Sequence, residues 1–146
     1  MRGLLIVLFF TPVVWLQAES VTSESDANIF VIGLAAQRAL EITGFKPWET
    51  IGDSSLAIQT DILDLNQEQT MKYTDEKPPA TVRGRVTIII RTRDSKRVSF
   101  TLELNLEKQS DTEQWVKINS RGNFENEVVE TIQKLIDRYR KSPSLN

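Results

Sequence analysis

The stretch Val82–Glu107, VRGRVTIIIRTRDSKRVSFTLELNLE, constrains this chain more than any other. Val82, Val86, Ile88 and Ile90 recur at every second residue before the polar turn Asp94-Ser95-Lys96, and Val98, Phe100, Leu102, Leu104 and Leu106 do so after it. Successive strand side chains point to opposite faces, so each run carries one apolar row. Pairing Arg93 with Arg97 across a three-residue turn sets Ile90 opposite Phe100 and Ile88 opposite Leu102. Both rows then share a face, which another layer must cover.

Two helices are candidates for that cover. Asp26–Thr43 places Ile29, Ile32, Gly33, Ala36 and Leu40 at helical spacing, with capping donors and acceptors at Ser23 and Asp26 or Ser25 and Asn28. Gly44 ends this helix, and Phe45 can fold back onto Leu40. Glu125–Lys141 carries the stripe Val128, Val129, Ile132, Leu135, Ile136 and Tyr139. Its acids lie at the start and its bases at the end, as the helix dipole favours. Between them, Lys46-Pro47-Trp48 leads out as an extended segment. Ser54–Leu65 reads as a strand through Leu56, Ile58 and Ile62. Asn66–Ala80 is read as a strand through Thr70–Thr74 turning at Asp75–Pro79, with a loop as the competing reading. Gln114–Ser120 is a short last strand.

The expected fold is α+β: a four-stranded antiparallel sheet with an N-terminal and a C-terminal helix on one face, in the order α-β-β-β-β-α. Residues 26–141 form one domain, preceded by a flexible N-terminus over 19–25 and followed by a flexible tail over 142–146. In a meander the outer strands are Ser54–Leu65 and Gln114–Ser120.

Met1–Ala18 has the layout of a secretory signal peptide. Arg2 precedes an apolar run from Leu4 to Leu16, and a small residue, Ala18, stands at the expected cut. The run is shorter than the ~20 residues of a spanning helix. The competing reading is an uncleaved anchor, the one case in which a membrane would be a partner. The expected location is the periplasm or the exterior.

Composition narrows the function. The 146 residues hold 18 basic and 20 acidic side chains, for a net charge of −2, which argues against nucleic acid as a partner. There is no cysteine and no histidine. Disulfides, thiol nucleophiles and thiolate metal sites are excluded, and the commonest general base is missing. No catalytic residue, metal ligand or cofactor is assigned. Asp61, Asp64 and Glu68 could be grouped as a carboxylate cluster, but no calcium-loop spacing accompanies them.

Arg83, Arg85, Arg91 and Arg93 all point away from the apolar row. Such a face can bind phosphates, glycans or an acidic partner. It can equally be a solvated face with cross-strand charge pairs, since Arg83 falls opposite Glu107 and Glu103 is diagonal to Arg85. Trp48 and Trp115 are the tryptophans outside the leader. Each is a contact residue or a cover over the sheet edge and an arginine stem. The candidate partner-binding set is Arg83, Arg85, Arg91, Arg93 and Trp115. Its expected partner is an envelope protein or a second copy added at the Gln114–Ser120 edge.

From Ile29 to Lys141 the chain resembles the YajG-like family of small bacterial envelope lipoproteins. The resemblance lies in a helix ending LEITGFK, the strands LAIQTDILDL, RVTIIIRTRD and VSFTLELNLE, and the closing helix EVVETIQKLIDRY. It implies an envelope protein and supplies no catalytic residues. The family's lipid-modified cysteine is absent here, so lipid anchoring does not carry over. The expectation is an exported, non-enzymatic accessory or binding protein. The rivals are a lipid or small-molecule carrier, with a cavity under Phe100 and Leu104, and a carboxylate-dependent hydrolase on an envelope polymer.

Overall fold

In the computed structural model, residues 20–52 and 55–141 are described; the leader over 1–18 and the tail over 142–146 lie outside them. The hairpin forms as the alternation requires. Strand β5 (Val82–Thr92) pairs antiparallel with β6 (Val98–Gln109), with Ile90 opposite Phe100 and Ile88 opposite Leu102. The Arg93 N–H donates to the Arg97 carbonyl at 2.9 Å, and the Asp94 carboxylate accepts from the N–H groups of Lys96 and Arg97. Every residue of the two apolar rows is buried.

The class is α+β, with more elements than expected. Among the described residues the sheet has seven antiparallel strands and is accompanied by three helices. Its order is β1-β6-β5-β3-β2, with β4 beside β5 and β7 beside β6. It is not the expected four-stranded meander. Segment 21–25, read as flexible, is strand β1 (Val21–Ser25), which pairs with Val98–Leu102 of β6. The extended segment after the first helix is strand β2 (Pro47–Ile51), paired with β3 (Ser55–Thr60). Backbone pairing on the open sides of longer strands holds both segments, so neither needs an apolar row of its own.

The strand expected over Ser54–Leu65 breaks in two. Gln59 lies opposite Thr87, yet Leu63 of β4 (Leu63–Asp64) lies opposite Gly84, where an unbroken ladder would set residue 62. One extra residue therefore bulges at Asp61-Ile62. Leu63 turns inward and Ile62 is left exposed. The buried Thr60 hydroxyl accepts from the Val86 N–H at 2.9 Å, which satisfies a backbone donor beside the bulge.

Thr70–Thr74 is not a strand. Gln67–Tyr73 forms helix α2, started by a capping box in which Asn66 and Gln69 each accept from the other's backbone N–H. Local capping decides the conformation here. Tyr73 then seats edge-on against Phe124, ring centres 5.1 Å apart.

Helix α1 (Ile29–Ile42) is capped by Asn28, whose side chain accepts from the N–H groups of Phe30 and Val31. It ends in a Schellman motif. The Phe45 N–H reaches the Leu40 carbonyl, the Gly44 N–H reaches that of Glu41, and Gly44 has φ +93°. Helix α3 (Asn123–Arg140) begins after Gly122, two residues before the expected start at Glu125, and the Asn123 amide donates to the Lys72 carbonyl and ties α3 to α2. Helices α1 and α3 cover the inward rows in one core that includes Ile32, Leu40, Phe100, Val128 and Ile132. No helix among the described residues is long and apolar enough to cross a membrane.

Candidate functional site

Because both long helices lie on one face, the other sheet face has no helix over it among the described residues. The outward positions of β5 and β6 run Arg83, Arg85, Thr87, Ile89, Arg91 and Ser99, Thr101, Glu103, Asn105, Glu107. The four arginines of the candidate set fall into two groups along this face. Arg83 and Arg91 are eight positions apart on one strand, a separation of roughly 26 Å at about 3.3 Å per residue.

At the first end, strand β7 (Trp115–Ile118) pairs with Leu106–Gln109 and brings Trp115 over Arg83. The guanidinium carbon sits 3.8 Å from the ring centre, and Nη2 bonds Glu107 Oε2 at 3.2 Å. Arg83 has its charge met by a carboxylate and its plane met by an indole. These three residues hold β5, β6 and β7 together. Arg85 is exposed beside a shallow groove of about 170 Å³ that Ile62 and Asn105 also line.

At the other end, β1 extends the sheet beside β6, and a larger groove of about 480 Å³ lies over this part of it. Thr22 of β1, Ser99 and Thr101 of β6, and Ile89, Arg91, Thr92 and Arg93 at the end of β5 line it. The Thr22 and Thr101 hydroxyls are 3.0 Å apart. Glu24 lies 3.9 Å from Arg93 and 3.6 Å from Arg97, in exposed pairs that solvent screens strongly. Arg91 has no ion pair among the described residues. A planar guanidinium with its donors free can take a carboxylate or phosphate by two parallel hydrogen bonds. Hydroxyls beside it both donate and accept, which suits sugar hydroxyls.

Arg91 and Arg93, both in the expected candidate set, line this groove. Ser99 and Thr101 follow from the same β5–β6 register, opposite Arg91 and Ile89; Thr22 and Glu24 could not be placed, because they come with β1. Trp48 is exposed on β2, at the other side of the sheet from β1. Asp64 stands opposite Arg83, and no group of three or more acidic residues among those described is placed to hold a metal ion. Strand β3 is not an edge, since β2 covers it; β7 does lie at one, sharing that side of β6 with β1.

No family model matches the chain, and no curated protein matches it.

Proposed function

We propose that this chain is an exported envelope protein of the periplasm. It acts without catalytic chemistry and binds an anionic, hydroxyl-rich ligand, an acidic envelope glycan, in the groove between β1 and the end of β5. The observation that carries the reading is Arg91: an arginine with no ion pair among the described residues, set among hydroxyl side chains on the sheet face that no described helix covers. The apolar leader supports export, and the resemblance to YajG-like envelope proteins supports the compartment.

The test uses retention on an immobilised acidic polysaccharide, with the uncharged polymer as reference. The wild-type chain is retained on the acidic polymer and elutes with salt. Arg91→Ala weakens binding about tenfold or more, the scale of a lost charge-assisted hydrogen bond. Arg83→Ala, which alters the stacked cluster at the other end, leaves retention unchanged. Equal loss in both variants would show a diffuse charge effect and reject the groove. Processing is checked on the exported chain, whose first residue is expected at or near Glu19.

A further inference from the structure

Strand β2 ends the sheet on the side away from β1, and among the described residues nothing pairs with its outer edge. The hydrogen bonds to its inner neighbour fix which backbone groups that edge offers. The Asp61 N–H donates to the Lys46 carbonyl and the Gly52 N–H to the Ser55 carbonyl. Backbone groups alternate sides along a strand, so Trp48 and Thr50 direct theirs at β3, while Glu49 and Ile51 direct theirs outward. Pro47 offers only a carbonyl there. Ile51 is 76% exposed and Phe30 of α1 is 70% exposed, the most open large apolar side chains described. The two meet at a groove of about 290 Å³ between α1 and the β2–β3 hairpin.

We propose that this edge joins a second copy of the chain, in an antiparallel β2–β2 pair about a two-fold axis at Thr50. The edge is complementary to itself in that register. Glu49 of each copy lies opposite Ile51 of the other, and the four outward N–H and C=O groups per copy close as four interchain hydrogen bonds. Shifting the axis to Glu49 would oppose two like charges and pair Ile51 with a proline that has no N–H. Charge and the missing donor together favour Thr50 over Glu49 as the axis. The Thr50 side chains then face each other in the close, non-hydrogen-bonded type of pair. The two Ile51 side chains flank the axis on the helix side, next to the apolar surface that Phe30 extends, so each copy covers what the other exposes. A two-fold axis perpendicular to the sheet keeps the outer faces of both copies on one side. Edge pairing was expected at Gln114–Ser120; these features move it to β2.

The chain has no cysteine, so single cysteines report this geometry without background. In the chain expressed with its own leader and purified, Thr50→Cys forms a disulfide-linked dimer on mild oxidation. Lys117→Cys, exposed on the far side of the sheet, does not. By sedimentation the wild-type chain is dimeric. Ile51→Pro removes an outward N–H that no internal bond uses, and so two interchain hydrogen bonds per dimer. It raises the dissociation constant about tenfold or more while the circular dichroism spectrum is kept. Ile51→Lys, which leaves the backbone able to pair, weakens the dimer through lost apolar contact and serves as the second variant. A wild-type chain that sediments as a monomer overturns the proposal, as does equal cross-linking at positions 50 and 117. So does a dimer unaffected by both folded Ile51 variants.

Discussion

The guanidinium carbon of Arg83 sits 3.8 Å from the centre of the Trp115 ring, while Arg83 Nη2 pairs with Glu107 Oε2 at 3.2 Å. Two residues 32 positions apart in a chain of 146 are joined because β6 carries β5 on one side and β7 on the other. Trp115 is therefore a clamp on the sheet. Trp115→Ala should lower stability to chemical denaturation by about 1 kcal/mol, the scale of a partly desolvated cation–π contact. It should leave binding at the Arg91 groove unchanged. A loss of binding in the folded variant would join the two ends of the arginine row into one site.

The bulge at Asp61-Ile62 depends on Thr60. Its hydroxyl takes the Val86 N–H at 2.9 Å in a fully buried position. Thr60→Val keeps the shape and leaves that donor unmet, at a cost of about 1–3 kcal/mol in urea unfolding. Thr60→Ser should recover most of the loss. Equal stability of the Val and Ser variants would mean that the hydrogen bond contributes nothing.

Helix α1 crosses β3 closely at Gly33. A Cβ there would meet Leu56 Cδ2 at 2.6 Å, in a part of the core where both residues are buried. Gly33→Leu should cost about 1–3 kcal/mol through overpacking. Combined with Leu56→Ala, it should lose less than the two single changes added together, because the second change opens room for the first. Strict additivity in thermal melts would contradict the close approach.

How much of this was legible in the sequence varies by element, for physical reasons. The β5–β6 register could be read because Ile88, Ile90, Phe100 and Leu102 need burial, and one step of slip would turn them to water. Helix α1 declared its end through Gly44 and Phe45. Strand β1 was illegible: VTSES has one apolar residue, and its strand form comes from pairing with β6. Helix α2 did carry a signal, Asn66 and Gln69 at capping-box spacing, which the reading of 66–80 as a strand or loop passed over. The candidate site follows the same division. Arg91 and Arg93 stood out by alternation, and the hairpin register sets Ser99 and Thr101 beside them, whereas Thr22 and Glu24 join only once β1 is in place.

Tyr73 gives the fold a dependence on alkaline pH. Burial against Phe124 holds its phenol above the ordinary value of 10.0. A raised folded-state value means that the folded chain keeps a proton which the unfolded chain gives up. The contribution is complete below 10.0 and is lost as pH rises through the folded-state value. Denaturant midpoints should fall above about pH 10. Tyr73→Phe should flatten that part of the profile without disturbing midpoints at neutral pH. An identical alkaline decline in the variant would assign it to another group.

The most direct test of the binding account is to map amide NMR shifts while an acidic oligosaccharide is titrated in, with the uncharged oligosaccharide run in parallel. Saturable shifts are expected at Thr22, Arg91, Arg93, Ser99 and Thr101 with the acidic ligand alone, and they should vanish in Arg91→Ala. The Trp115 indole should not move. Shifts centred on Trp115 and Arg83, or an identical pattern with the uncharged ligand, would contradict the assignment of this groove.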